Sequence, residues 1–310
     1  MSLPALPTIF LQGPTASGKT GLALRLADQF PLRLISVDSL AVYRHFDLGS
    51  AKPDASLQAR YPHALIDLRE PEQPYSAGDF ARDARAEIDA AWQAGQIPLL
   101  VGGTGLYFRA LERGIAQLPP ADPAFRQTLQ KEAERYGWPA LHRRLRELDP
   151  ERAAVIQPQD AQRIQRALEL LAQGAKIAAD WQGGLKTPIW KIQLQIPRPE
   201  LHQRIAARLE AMYAAGFREE AEALYPRYGE ADLPASRSVG YRQLFAWQRG
   251  DLTLPAAELA ALQATRQLAK RQETWFRAET PDWTVHPLHG EQVHILIAEL
   301  QRRLAAFPLP

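Results

Sequence analysis

The run Gly13-Pro14-Thr15-Ala16-Ser17-Gly18-Lys19-Thr20 follows the spacing G-x-x-x-x-G-K-[ST], which lets a backbone curl around phosphate oxygens. Its glycines free N–H groups to point inward, and a helix starting there would add partial positive charge. Lys19 can then reach a terminal phosphate and Thr20 can hold Mg²⁺, so two linked phosphates are the natural guest. Two further positions carry chemistry. Asp38 follows the apolar run Leu34-Ile35-Ser36-Val37, where a carboxylate can serve as metal ligand or base. Thr104 follows Gly102-Gly103, which reads equally as a tight turn or as a second functional loop.

The elements that must hold these residues are legible nearby. Thr8 to Gln12, Leu32 to Val37 and Ile97 to Val101 are short apolar runs, each ending in glycine or a polar turn, as buried parallel strands do. Gly21 to Phe30 reads as the helix after the phosphate loop. Ser76 to Gln93 reads as a crossover helix, with Ser76 as cap, Phe80, Ala84, Ile88 and Ala91 on one face and Gly95 as stop. Ligands bind at the carboxyl ends of such strands, so the phosphate loop, Asp38 and Thr104 should meet in one crevice. From about Leu118 the pattern turns helical, with repeated prolines, until Ile189 to Ile196 restores strict alternation and Glu200 opens a helix striped by Leu201, Ile205, Leu209 and Met212. The expectation is an α/β fold with a phosphate-loop-type parallel sheet and flanking helices: a first core part over 1–117, an all-helical insertion over 118–188, and a return to the core over 189–310. Phe307 to Pro310 reads as a frayed tail.

Composition narrows the classes. With 310 residues, 46% apolar and 23% charged, the chain sits in the globular range. The absence of cysteine removes disulfides, thiolate metal sites and cysteine nucleophiles. No apolar run is long enough to span a membrane, and no basic segment precedes the short apolar stretch of the opening residues, so a cytoplasmic protein is expected. The formal charge of +2 implies no polyanion partner by itself. The seven histidines show no metal-binding spacing.

After the phosphate loop come Ile35-Ser36-Val37-Asp38-Ser39, Ala51-Lys52-Pro53, Tyr75-Ser76-Ala77 and Val101-Gly102-Gly103-Thr104-Gly105-Leu106-Tyr107. Asp160 follows, with Gln162-Arg163 and Arg166-Ala167-Leu168-Glu169, then Val239-Gly240-Tyr241-Arg242-Gln243 and Ala264-Thr265-Arg266-Gln267-Leu268-Ala269-Lys270-Arg271-Gln272. In this order, from Ile9 to about Arg277, these blocks make the chain resemble the tRNA dimethylallyltransferases (isopentenyl-pyrophosphate transferases) in their bacterial form.

The resemblance implies prenyl transfer: N6 of an adenosine next to the tRNA anticodon attacks C1 of dimethylallyl diphosphate, and diphosphate leaves. The loop from Gly13 to Thr20 would hold the leaving group, Asp38 takes the family's base position, and Thr104 supplies a hydroxyl at the reacting groups. Lys19 and Mg²⁺ would stabilise the charge that develops on the departing oxygen. The tRNA anticodon stem-loop would be gripped by Asp38, Ser39, Leu40, Ala41, Arg126, Gln162, Arg163, Arg166, Arg237, Gly240, Tyr241 and Arg242. If Ala264 to Arg277 is one helix, Arg266, Lys270 and Arg277 share a cationic face with Leu268 and Trp275 opposite, and Arg271 adds to the basic run. Gln162, Arg166 and Glu169 are expected on the outer side of a helix capped by Asp160, whose inner stripe is Ile164, Leu168 and Leu171. A monomer is expected. The chain departs from many family members in having Ala41 where glutamine is common and Ser50 where threonine is common.

Two other classes compete. A small-molecule kinase could use ATP at the same loop, with the insertion as a lid. A GTPase-like RNA-binding switch lacks an N-K-x-D segment to read guanine.

Overall fold

A computed structural model describes residues 6–116, 118–175 and 182–307; the proposed frayed end beyond Phe307 lies outside them. The chain divides into two compact units, Met1–Glu112 with Leu185–Pro310, and Arg113–Gly184.

In the first unit six parallel strands form one sheet, β1 (Thr8–Gln12), β2 (Leu32–Val37), β3 (His63–Ala64), β4 (Ile97–Gly102), β7 (Ile189–Leu194) and β8 (Trp283–Val285), in the order β3-β2-β4-β1-β7-β8. Successive side chains of a strand point to opposite faces, and both faces here are covered. Ile9 and Leu11 join Leu22, Leu26, Leu296 and Leu300 on one face, beneath helices Lys19–Ala27 and Gly290–Leu304. Phe10 joins Phe80, Ile88 and Phe108 on the other, beneath helices Ala77–Gln93 and Gly105–Arg113. The crossover helix Ala77–Gln93 begins as its sequence predicts. The Ser76 hydroxyl accepts from the N–H of Asp79 at 3.1 Å, and the Asp79 carboxylate accepts from the N–H of Ser76 at 3.0 Å.

The alternation from Ile189 to Ile196 suggests one polar and one apolar face, but the strand runs centrally and Lys191 and Gln193 are buried. Lys191 is tolerated because its ammonium donates to Glu112 and Glu279, each at 2.8 Å, which offsets its desolvation. Strands β3 and β8 are too short to announce themselves by periodicity. A helical layer of the same unit, Arg198–Ala214, Phe217–Tyr228, Tyr241–Gln248 and Leu254–Phe276, buries Phe46, Phe217, Tyr228, Tyr241 and Phe245 in a third cluster.

The second unit packs helices Pro123–Tyr136, Trp138–Leu148, Pro150–Ala154 and Ala161–Ala172 around Leu129, Leu141, Leu145, Ile164 and Leu168. It is not wholly helical, since β5 (Gly114–Ile115) pairs antiparallel with β6 (Gln182–Gly183). Gly114 has φ 93°, and a Cβ there would lie 1.9 Å from the Gln182 carbonyl oxygen, so this ribbon requires glycine.

Candidate active site

Strand register brings the chemistry together. Gln12 lies beside Gly102 and Val37 lies beside the same Gly102, so β1, β2 and β4 end level. The residues that follow are the phosphate loop, Asp38 and the Gly103-Thr104 turn, which therefore emerge at one edge of the sheet. All three line a cleft of the first unit. A cavity of about 370 Å³ is bounded by Asp38, Thr104, Arg208, Leu209, Met212 and Phe217. A second, of about 790 Å³, is bounded by Gly18, Lys19, Thr20, Asp38, Arg204 and Arg208.

The phosphate loop takes a strained turn. Gly18 takes φ 91° at the helix N-terminus and Ala16 takes φ 61°, a left-handed turn that lets successive N–H groups converge. The Lys19 ammonium folds back over the loop, donating to the carbonyls of Gly13 at 2.9 Å and Pro14 at 2.7 Å. Desolvation, reinforced by the Arg208 guanidinium and opposed by Asp38, lowers its pKa to about 7. The buried Ser17 hydroxyl has no partner among the described residues.

Asp38 is half-buried and oriented by its own loop. Its Oδ1 accepts from the N–H groups of Leu40 at 2.7 Å and Ala41 at 3.2 Å, which do not engage Oδ2. The loop beyond it is pinned. The buried Lys52 ammonium donates to the Tyr43 carbonyl at 2.5 Å, Asp47 at 2.7 Å and Asp67 at 2.6 Å. Glu220 accepts from the N–H of Leu48 at 2.8 Å. Thr104 starts the helix Gly105–Arg113, its carbonyl accepting from Tyr107 at 2.9 Å. The glycines around it serve close packing. A Cβ on Gly102 would meet the Val37 carbonyl oxygen at 2.0 Å, and one on Gly105 would meet Trp275 at 2.1 Å. Burial raises the phenol pKa values of Tyr43, Tyr75 and Tyr107, so these walls of the smaller cavity stay neutral.

Three side chains in the cleft have no role in the sequence reading. Arg204 donates through Nε to the Ala16 carbonyl at 2.8 Å, and Arg208 donates to the Thr15 hydroxyl at 3.1 Å. Gln272 accepts from the Thr15 N–H at 2.8 Å. The i, i+4 spacing of Arg204 and Arg208, flanking the Leu201, Ile205 and Leu209 stripe, is the signal that could have found the first two.

Thr20 is exposed at the larger cavity, which Asp38 also lines. Among the described residues no three histidine or acidic groups gather to hold a metal alone. One hydroxyl and one carboxylate suit Mg²⁺, which takes its other ligands from phosphate oxygens and water.

The remaining residues of the sequence reading divide. Ser39, Leu40, Arg237 and Gly240 line the smaller cavity and Ala41 the larger; Arg237 is exposed and paired with Asp232 at 3.0 Å. Arg242, Lys270, Arg271 and Arg277 are exposed, while Arg266 is half-buried with no partner on Nε among the described residues. Leu268 lines the smaller cavity, and Trp275 packs against the second core cluster under the Arg109 guanidinium.

Tyr241 is not a surface residue. It is buried, its O–H donates to Glu220, and its oxygen accepts from the Gly49 N–H at 3.0 Å. Burial and the Glu220 carboxylate raise its pKa, so it pins the loop and offers nothing to a ligand. In the second unit Gln162 and Arg163 are exposed, but Glu169, expected on the outer side of its helix, is fully buried. Arg126 grips it through Nε at 3.0 Å and Nη2 at 2.9 Å, and Arg166 donates to it at 2.5 Å. Both arginines therefore pair with Glu169 and hold the unit together, while their side chains stay partly exposed.

The family model described as IPP transferase matches residues 41–279. The chain is 57% identical over 295 residues to the tRNA dimethylallyltransferase of Acidithiobacillus ferrooxidans, covering 94% of each chain. It is 49% identical over 304 residues to that of Thiobacillus denitrificans, covering 95% of this chain and 97% of the relative. Among solved structures, it is similar to the tRNA isopentenylpyrophosphate transferase of Bacillus halodurans, with a TM-score of 0.71 at 32% identity and 97% of each chain covered. A eukaryotic dimethylallyltransferase acting on tRNA shares the fold, with a TM-score of 0.74 at 20% identity over 98% of this chain and 81% of that one.

Proposed function

The chain belongs to the IPP transferase family of tRNA dimethylallyltransferases, and from that premise we propose how this cleft carries out the transfer. The phosphate loop holds the diphosphate of dimethylallyl diphosphate. The five-carbon chain lies toward the apolar wall of Leu209, Met212 and Phe217. N6 of the adenosine beside the anticodon attacks C1 as the C1–O bond breaks, and diphosphate departs with the bonding electrons. The amine turns acidic as it alkylates, so the Asp38 carboxylate receives the N6 proton. Thr104 orients the reacting groups by its hydroxyl. Lys19, Arg204 and Arg208 surround the leaving group with positive charge, which costs no reorganisation during the reaction. Thr20 and the diphosphate would hold Mg²⁺, which would add charge stabilisation on the leaving oxygens. Exposed Arg242, Lys270, Arg271 and Arg277, with Gln162 and Arg163 of the second unit, contact the tRNA anticodon stem-loop. The protein acts as a cytoplasmic monomer.

The observation that carries this reading is the level ending of β1, β2 and β4, from which the phosphate loop, Asp38 and the Gly103-Thr104 turn emerge at one sheet edge and line a common cleft. The test is to incubate the protein with unmodified tRNA and dimethylallyl diphosphate, then analyse the nucleosides by mass. The expected result is one dimethylallylated adenosine per tRNA with stoichiometric diphosphate release. ATP consumption with small acceptors and no prenylated tRNA would instead support the kinase.

A further inference from the structure

Gln272 sits on helix Leu254–Phe276, far along the chain from both loops that it touches. Its Oε1 accepts from the Thr15 N–H at 2.8 Å, and its Nε2 donates to the Gly103 carbonyl at 3.1 Å. One planar amide thus joins the phosphate loop to the turn that carries Thr104. A Cβ on Gly103 would lie 2.3 Å from Nε2, so an added methyl there would push the amide aside. The bond to Thr15 also has a directional consequence. That N–H is satisfied by protein, and Thr15 precedes Ala16, the one residue of the loop other than glycine with positive φ. Fixing the Thr15 peptide therefore constrains the turn that aims the following N–H groups into the cradle.

We infer that Gln272 is a positioning residue that holds the diphosphate loop in its binding shape and sets its distance from Thr104. It does so through Thr15 and Gly103 and not by touching the donor. The inference rests on the diphosphate occupying that loop. Removing the amide leaves the Thr15 N–H without its acceptor and lets the loop sample shapes that bind the donor poorly, so donor affinity falls by the loading of one hydrogen bond.

The test is a steady-state double-mutant cycle with Gln272→Ala, Gly103→Ala and the pair, beside Lys19→Met as a check on the loop itself. Each of Gln272→Ala and Gly103→Ala should raise the KM for dimethylallyl diphosphate about tenfold, with the KM for tRNA unchanged. The pair should do no worse than either alone, because the added methyl then has no amide to displace. An unchanged donor KM in Gln272→Ala, a fall in kcat alone, or additive effects in the pair would overturn the proposal. Lys19→Met separates the two levels: if it leaves the donor KM unchanged, the placement of the diphosphate is wrong. If it raises the donor KM while Gln272→Ala does not, only the role of Gln272 is lost.

Discussion

Donor binding should carry a proton with it, and Lys19 is the reason. Its pKa is lowered to about 7, chiefly by desolvation and then by Arg208. A diphosphate beside it favours the ammonium, so the bound form regains its ordinary charge. Between roughly pH 6 and 8 the protonated fraction of such a group falls from about nine-tenths to about one-tenth, so the apparent Kd should rise about tenfold, or about 1.4 kcal/mol. The fold itself responds in the opposite sense. A lysine whose folded pKa lies below its unfolded value of 10.5 leaves the empty protein more stable as pH rises from about 7 toward that value. Isothermal titration calorimetry with dimethylallyl diphosphate, in buffers of differing ionisation enthalpy, measures the uptake directly. Near pH 8 close to one proton should be taken up per donor, and Lys19→Met should take up none. No uptake by the wild type, or the same uptake by Lys19→Met, would refute the reasoning.

Asp38→Ala should lower turnover by about 10² or more while tRNA affinity changes little, and single-turnover prenylation with a filter-binding control measures both. Arg126→Ala should destabilise the second unit by about 3 kcal/mol, because it strips a bidentate partner from the buried Glu169 carboxylate; chemical denaturation followed by tryptophan fluorescence reports it. The Arg126 and Arg166 guanidinium groups overcome the burial penalty and lower the Glu169 pKa to about 2, so its contribution should be intact above the ordinary 4.5 and lost as pH falls toward 2. Lys270→Ala should weaken tRNA binding and reduce its salt slope by about one, as loss of one phosphate contact does; an unchanged slope would return that side chain to solvent.

What could be read from the sequence was what is local. The phosphate loop, the three strands that frame it and the Ser76 cap each depend on neighbours a few residues away, so their patterns are visible in the chain. The partners of those elements were not. Gln272 bonds to Thr15 across 257 positions and Arg204 to Ala16 across 188, and no periodicity records such a meeting. Polar residues misled in a consistent way. Tyr241, Arg126, Arg166, Glu169 and Lys191 all look like surface groups, yet each is committed to a buried or half-buried network that compensates its desolvation. Periodicity reports which face of a helix is apolar. It does not report which charges have found one another.

The shared hydrogen-bond register of the first, second and fourth strands constrains how this protein can change. Each step along a strand moves a side chain by about 3.3 Å and turns it to the other side of the sheet. One residue inserted within Leu32–Val37 would carry the carboxylate away from the cradle and aim it elsewhere, however intact both remained. Loops at the rim can therefore lengthen or vary, whereas the spacing that the strands set between the phosphate loop, Asp38 and Thr104 cannot drift without parting them.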